Sequence, residues 1–206
     1  MQAEGRAPLS APPSGATVVT RRRLHGLTAA IGVGTLVLDQ LTKAWALHAL
    51  TPGEPVPLLG ELLRLNPIRN SGAAFSLGNG STLLMTLIAA AVSVGILLAA
   101  RRLGSRGWAW ALGLMLGGSI GNLVDRMLRA PGPGRGHVVD FIDYHVFIGN
   151  VADIAIVGGA VLIALLTLRG IGIDGSLDGE PRPDALTADQ ETPDQETPEQ
   201  ESERHA

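Results

Sequence analysis

The sequence contains no cysteine and lacks the short motifs of the commonest hydrolases. Without cysteine the chain has no disulfide, no thiol nucleophile and no cysteine-ligated zinc, and it cannot carry a cysteine-linked lipid of its own. The His-Glu-x-x-His pair of zinc proteases is absent, and the one Gly-x-Ser-x-Gly spacing, at residues 117–121, lies inside an apolar run and not at the strand-to-helix turn that a serine-hydrolase elbow needs. Any chemistry therefore has to come mainly from carboxylates and histidines.

Negative charge is unevenly distributed along the chain. Eleven of the 19 acidic residues lie in residues 174–206, so the formal net charge of -3 hides a mildly basic body. The acidic, proline-containing C-terminal stretch and the Pro-, Ala- and Gly-rich N-terminal stretch have compositions typical of disorder. We therefore expect one domain over residues 21–170, between disordered tails at 1–20 and 171–206, and no nucleic-acid-binding patch.

Four apolar runs of membrane-spanning length divide the body of the chain. They cover about residues 24–50, 82–100, 108–128 and 150–168. The first run is too long for a cleavable signal core, and it contains charged residues. Arginine clusters at residues 21–23 and 101–106 favour the cytoplasm for the helix ends that they adjoin. This pattern predicts four transmembrane helices with both termini in the cytoplasm.

The two longer connections would then lie on the extracytoplasmic side. Prolines and glycines prevent a continuous helix over residues 51–81 and favour short extended pieces joined by turns. The sequence therefore predicts a mainly α membrane protein, with four transmembrane helices and a small extracytoplasmic β cap.

Two aspartates beside the last apolar run are the candidate catalytic residues. Asp153 lies in the first turn of the last predicted helix, where Asn150 could act as N-cap, so Asp153 taken alone could be purely structural. Asp140 lies in an apolar segment and has no helix to cap. A second acid close to it predicts a dyad whose surroundings separate the two pKa values. One carboxylate would deprotonate a water while its protonated partner polarises a carbonyl.

Charged residues in the first and third runs have structural and functional interpretations. Asp39 and Lys43 are four residues apart on one helix face, which most simply indicates an intramembrane ion pair. At the end of the third run, we expect Arg126 to anchor a substrate through its guanidinium and Asp125 to act as scaffold.

The polar segment 70–76 remains open between two interpretations. It is either a turn with Gly72 at a positive φ, or an edge where Asn70 binds a peptide group and Phe75 meets lipid.

Two other functions are compatible with the same acidic residues. A small transporter could use Asp39, Asp125, Asp140 and Asp153 as a proton or cation path, although such a path needs acids distributed through the depth of the bilayer. A metal-dependent hydrolase could use the group His137, Asp140, Asp143 and His145, although its spacing fits no standard zinc pattern.

Five ordered motifs resemble those of lipoprotein signal peptidase, the signal peptidase II family. The resemblance covers about residues 24–168. The motifs are Asp39-Gln40-Leu41-Thr42-Lys43, Asn70-Ser71-Gly72-Ala73-Ala74-Phe75-Ser76, Gly117-Gly118-Ser119-Ile120-Gly121-Asn122-Leu123-Val124-Asp125-Arg126, Gly136-His137-Val138-Val139-Asp140-Phe141 and Asn150-Val151-Ala152-Asp153.

The resemblance implies an intramembrane aspartic protease of the bacterial cytoplasmic (inner) membrane, with a β-cradle and an active site on the extracytoplasmic side. It would cleave signal peptides from prolipoproteins just before a diacylglyceryl-modified cysteine. We expect a monomer in the lipid bilayer that needs no cofactor or metal. The implied catalytic residues are Asp140 and Asp153; the substrate-binding and supporting candidates are Asn70, Gly72, Phe75, Asn122, Arg126, Asn150, Asp39, Lys43 and Asp125.

Two departures from the family and one prediction about lipid complete the sequence-based expectations. Gly149 stands where the family usually has an aromatic residue, and the segment between the two aspartates is short, so we expect an altered loop over the site. Phe75, Phe141 and the glycines of the third run could make room for acyl chains.

Overall fold

The computed structural model describes residues 14–72 and 81–177, which fold into four long helices and one small sheet. The helices are α1 (Ser14–Ala49), α2 (Ser81–Ala100), α3 (Arg106–Leu128) and α4 (Val151–Leu168). The strands are β1 (Val56–Leu59), β2 (Leu63–Asn70), β3 (Val138–Asp143) and β4 (Ile148–Gly149). The prediction of a mainly α membrane protein with a small β cap is confirmed.

Three of the helices are long and apolar enough to cross a membrane: Thr20–Ala49, Thr82–Ala100 and Val151–Leu168. Helix α3 has 23 residues, which is also sufficient length, but its glycines and its polar end at Asn122, Asp125 and Arg126 lower its hydropathy. This composition fits its position, because α3 packs against all three other helices and so has the least surface left for lipid.

Glycines in α3 allow its backbone to lie directly against its neighbours. A methyl group on Gly117 would lie 2.6 Å from the Thr35 side chain of α1, and one on Gly118 would lie 2.8 Å from Ile156 of α4. Small residues at such positions are what close helix packing in a membrane requires. The space beside these glycines is therefore used for helix packing.

The four strands form one antiparallel sheet in the order β1-β2-β3-β4. Strand β2 pairs with β3 in a register that places Ile68 opposite Asp140 and Asn70 opposite Val138. Strand β4 leads directly into Asn150, the N-cap of α4. The sheet therefore lies at one end of the helices, where α3 ends and α4 begins.

The folded region is longer at both ends than the predicted 21–170. Helix α1 begins at Ser14, and residues 170–177 form a turn closed by a bridge between Ile171 and Leu177. The Gly104 N–H donates to the Ile173 carbonyl at 2.8 Å, and the Trp108 indole N–H donates to the Ile171 carbonyl at 2.9 Å. The remainder of both predicted tails, and Phe75, lie outside the described residues.

Candidate active site

Asn150 connects the two aspartates that the sequence indicates. Its Nδ2 donates to Asp140 Oδ1 at 2.6 Å, and its backbone N–H donates to Asp153 Oδ2 at 3.0 Å. The Asp153 N–H donates back to Asn150 Oδ1 at 3.1 Å, which completes a capping box at the start of α4. The structure thus brings strand β3 and the first turn of α4 together around one amide side chain.

Each carboxylate accepts a second hydrogen bond from another asparagine. Asn70 Nδ2 donates to Asp140 Oδ2 at 2.7 Å, and Asn122 Nδ2 donates to Asp153 Oδ1 at 2.9 Å. The Gly72 N–H donates to Asn70 Oδ1 at 2.7 Å, so the Asn70 amide is turned with its nitrogen toward Asp140. Gly72 has φ +90°, the positive value predicted for the turn at this position.

The two carboxylates differ in their exposure to water. Asp140 is 2% exposed, whereas Asp153 is only half-buried. Burial raises the pKa of Asp140 from 3.8 to about 6. The negative charge of Asp153 adds to the increase, while the hydrogen bonds from Asn70 and Asn150 oppose it. Asp140 is therefore the member of the pair that keeps its proton to higher pH than an ordinary aspartate.

A buried ion triad lies next to this pair. Lys43 Nζ is 2.8 Å from Asp39 Oδ2 and 2.8 Å from Asp125 Oδ2, and all three side chains are 0% exposed. It also donates to Asn122 Oδ1 at 3.0 Å. The predicted Asp39–Lys43 ion pair is confirmed. The third member of the triad was not predicted, because Asp125 lies on another helix.

The triad carboxylates also bind backbone N–H groups next to the aspartate pair. Asp39 Oδ1 accepts from Ala152 N–H at 3.0 Å, and Asp125 Oδ2 accepts from Val139 N–H at 3.2 Å. Asp125 further accepts from Arg129 Nε at 2.6 Å. Asp125 is therefore hydrogen-bonded both to strand β3 and to Arg129, the residue that follows α3.

Arg126 lies in the electrostatic field of Asp140 and Asp153. Its Nη1 donates to the Asn122 carbonyl at 3.2 Å, one turn back along α3. Its Nε is one of two buried side-chain nitrogens without a hydrogen-bond partner in the part of the chain that the structure describes; the other belongs to Arg64. A donor that is buried and unpaired beside an active site is suited to a substrate oxygen.

An apolar groove of about 370 Å³ adjoins Asp153. The Tyr144 and Phe147 rings stack at a centroid distance of 4.7 Å on one side. Burial raises the pKa of Tyr144, and the charge of Asp153 adds to this effect. The groove was not predicted, because the rings come from the β3–β4 hairpin and the opposite wall from α4: Ile154, Val157 and Gly158.

The expectation that Phe141 and the α3 glycines make room for acyl chains is wrong for the residues that are described. Phe141 is 4% exposed, and its ring meets Trp45 edge-on at 6.3 Å. The space beside Gly117 and Gly118 is filled by α1 and α4.

Two of the four residues considered as metal ligands, Asp140 and Asp143, have carboxylates that accept hydrogen bonds from other residues. Asp143 accepts from Arg64 Nη2 at 2.9 Å and from the His145 N–H at 2.8 Å. The hydrogen bond from His145 and the charge of Arg64 lower the pKa of Asp143. Within residues 14–72 and 81–177, no three histidine or acidic side chains are grouped so that they could hold a metal ion.

Comparisons with known proteins point to a membrane peptidase. The family model described as "Signal peptidase (SPase) II" matches residues 31–169. A lipoprotein signal peptidase of Mycobacterium avium is 48% identical over 171 residues, which cover 82% of this chain and 88% of that protein. Its counterpart in Mycobacterium tuberculosis strain H37Rv is 50% identical over 156 residues, which cover 74% and 76% of the two chains.

A solved structure of a bacterial membrane enzyme has the same arrangement of elements. It superposes with a TM-score of 0.61 at 26% sequence identity and covers 70% of this chain and 94% of that chain. The family match includes Asp39 and Lys43 of α1, all of α3 and the whole segment from β3 to α4. The chain therefore belongs to the signal peptidase II family.

Proposed function

We propose that the chain removes signal peptides from diacylglyceryl-modified prolipoproteins, cutting just before the lipidated cysteine, and that Asp140 and Asp153 activate the attacking water. The relatives that bear the name lipoprotein signal peptidase support the substrate class. The mechanism rests mainly on one observation: a single residue, Asn150, is hydrogen-bonded to both carboxylates. The negative charge of Asp153 also contributes to the raised pKa of Asp140, so the two carboxyl groups interact.

The surroundings of the two acids assign their roles. Burial raises the pKa of Asp140 to about 6, so this acid holds a proton that can be donated to the scissile carbonyl oxygen. Asp153 accepts two hydrogen bonds, from Asn122 Nδ2 and from the Asn150 N–H, and it is the more exposed of the two acids, so water can reach it. Asp153 is therefore the general base that takes a proton from water.

The reaction then follows the ordinary course of aspartate catalysis. Water attacks the peptide carbonyl carbon while Asp153 removes its proton, and Asp140 protonates the carbonyl oxygen. As the tetrahedral intermediate collapses, the proton held by Asp153 passes to the leaving nitrogen and the hydroxyl proton returns to Asp140. The unpaired Nε of Arg126 is available to bind a neighbouring carbonyl of the substrate.

The groove beside Asp153 supports a substrate with a lipid. Phe147, Ile154 and Val157 are 58%, 51% and 61% exposed, and they form an apolar surface continuous with the carboxylate. An acyl chain bound there would hold the lipidated cysteine beside the reacting water. Binding energy from such a remote part of a substrate can be used to orient its reacting bond.

The same proposal sets the protein in its membrane. All four helices cross the bilayer, with α3 enclosed by the other three. The arginine clusters at residues 21–23 and 101–106 mark the cytoplasmic end and the sheet marks the extracytoplasmic end, so both termini are cytoplasmic. The aspartate pair lies at the sheet end of α3 and α4, at the outer boundary of the bilayer.

The protein acts as a monomer, because the described residues contain a complete set of groups for the reaction.

The test is cleavage of a diacylglyceryl prolipoprotein by the purified protein in lipid vesicles. Asp140→Asn and Asp153→Asn each remove one acid at nearly constant size, and we expect each to lower kcat by about 100-fold or more. Assays of the wild type with and without a metal chelator test whether the reaction needs a metal, and we expect equal cleavage rates. An unmodified precursor tests the requirement for the lipid. A folded aspartate variant that still cleaves at the wild-type rate would remove that residue from the mechanism.

A further inference from the structure

The ion triad binds the chain immediately before both aspartates of the proposed dyad. Asp39 holds the N–H of Ala152, the residue before Asp153, and Asp125 holds the N–H of Val139, the residue before Asp140. Lys43 lies between the two triad carboxylates at 2.8 Å from each. One ammonium group therefore joins the two anchoring points from which the dyad projects.

Lys43 also determines which way the Asn122 amide faces. An ammonium group has only donors, so the Asn122 atom 3.0 Å from Nζ must be the oxygen. Asn150 Nδ2 donates to the same oxygen at 3.1 Å. The Asn122 nitrogen is thereby left to donate to Asp153 at 2.9 Å. Without Lys43, the Asn122 oxygen keeps only the bond from Asn150, so the amide is held less firmly toward Asp153.

We propose that Lys43 is a positioning residue for catalysis, which orients the Asn122 amide toward Asp153 and, through Asp39 and Asp125, fixes the spacing between Asp153 and Asp140. This inference rests on the proposed function. Lys43 does not touch the substrate and acts only through its three partners.

Stability alone does not explain a triad of this kind. Burial of three charged groups carries a desolvation penalty, and apolar residues of similar volume often give equal or greater stability. Apolar residues cannot supply hydrogen-bond donors in fixed directions. The triad is therefore best explained by the geometry that it imposes on its neighbours.

The charged and titratable groups around the dyad come from several elements, and any pH profile reports all of them. Lys43 faces it from α1, Arg126 from α3 and Tyr144 from the β3–β4 hairpin. Asp140 and Asp153 face each other from β3 and α4.

The decisive variant is Lys43→Met, measured for kcat, KM and the pH dependence of kcat with the lipidated precursor. We expect kcat to fall about 100-fold, the effect typical of a small misplacement of reacting groups, while KM changes little. We also expect the acid limb of the profile to move to higher pH, because the Asn122 amide that donates to Asp153 is no longer held in place by Lys43. Asn122→Ala leaves the triad intact and should move the acid limb in the same direction.

Gln40→Met is the matched control on the same helix. Gln40 Nε2 donates to Asp39 at 3.1 Å and to Asp125 at 3.3 Å, but it makes no bond to Asn122. We expect Gln40→Met to have a lower Tm than the wild type and an unchanged acid limb in the pH profile of kcat.

Since Lys43→Met leaves the buried Asp39 without a cation, whereas Asp125 keeps Arg129, a charge-balanced variant is needed beside it. Lys43→Met/Asp39→Asn removes one charge of each sign. The new amide oxygen at position 39 can still accept the Ala152 N–H, but the Asn122 oxygen keeps only the bond from Asn150. A folded Lys43→Met or double variant with wild-type kcat and acid limb would overturn the inference. If neither folds, Asn122→Ala decides, and an unmoved acid limb in that variant refutes the inference equally.

A pH titration of the carboxyl infrared band of the dyad separates this inference from the proposed function. The dyad band is identified by its loss in Asp153→Asn, and its midpoint should rise in Asn122→Ala whether or not the protein cleaves the chosen substrate. Absence of cleavage by wild type would refute the proposed function. An unchanged midpoint in Asn122→Ala would refute the positioning role alone.

Discussion

Asn150 Nδ2 lies 2.6 Å from Asp140 Oδ1, so the residue that caps α4 also binds the aspartate of strand β3. The two roles use different atoms of Asn150. Its side-chain oxygen accepts the Asp153 N–H, whereas its side-chain nitrogen donates to Asp140. Helix capping and dyad geometry can therefore be separated by substitution.

Asn150→Ser should retain the cap and lose the bond to Asp140. Serine and asparagine are both good N-caps, so we expect Tm close to wild type and kcat about tenfold lower or more. Asn150→Ala removes both functions and should cost about 1 kcal/mol of stability in addition. Thermal unfolding in detergent and cleavage assays on the two variants provide the measurements. Equal kcat in wild type and a folded Asn150→Ser variant would contradict the assignment.

The Asn70–Asp140 hydrogen bond gives a prediction about the pH profile. It favours ionised Asp140 and so opposes the effect of burial, which raises the pKa of Asp140 to about 6. In Asn70→Ala the pKa of Asp140 should rise further, so Asp140 stays protonated to higher pH. We therefore expect the basic limb of kcat/KM to lie near pH 6 in wild type and to move upward in the variant. A shift of the basic limb to lower pH would show that the transferred proton is held by a group other than Asp140.

Stability should also depend on pH through Asp140. The pKa of Asp140 is raised in the folded state, so the folded chain binds more protons than the unfolded chain between pH 3.8 and about 6. The free energy of unfolding should fall as pH rises through this window, by about 3 kcal/mol for a shift of this size. Asp140→Asn lacks this contribution. We therefore expect the Tm of the variant minus the Tm of the wild type to increase from about pH 4 to about pH 8. A difference that does not change with pH would contradict the raised pKa of Asp140.

Gly149 provides a steric test of the same site. A methyl group at this position would lie 3.0 Å from Asp153 Oδ2 and 3.4 Å from the Phe147 ring. Gly149→Ala should therefore displace the Asp153 carboxylate by a few tenths of an ångström and lower kcat several-fold, about tenfold at most. Gly95→Ala on α2 is the control, because no atom lies within 4 Å of the added methyl group. Equal activity of both variants would show that Asp153 tolerates the movement.

The sequence predicted the contacts that lie within one element or one motif. The Asp39–Lys43 ion pair followed from a spacing of four residues on a helix, and the Asn150–Asp153 cap from a spacing of three. Both are present. Such local rules also identified the helices and the positive φ of Gly72.

Contacts between distant segments could not be predicted in the same way. Asn70 and Asp140 are 70 residues apart, and Lys43 and Asn122 are 79 apart, so the pairing depends on how β2, β3, α1 and α3 come together. The aromatic groove was missed for the same reason. Individual residue types indicated carboxylate chemistry. Only the fold shows which asparagine side chain donates a hydrogen bond to which carboxylate.

The bond from Asp39 to the Ala152 N–H spans 113 residues and has a consequence for biosynthesis. Both aspartates of the proposed dyad lie in the last third of the domain, yet two of the three charges that support them, Asp39 and Lys43, lie on α1, which is made before α3 and α4. A nascent chain that has inserted α1, α2 and α3 still lacks the acid on α4. Under the proposed function, we therefore expect proteolytic competence to appear only when α4 enters the bilayer and docks on α1. A protein that cuts other membrane-inserted chains would then be inactive during its own insertion.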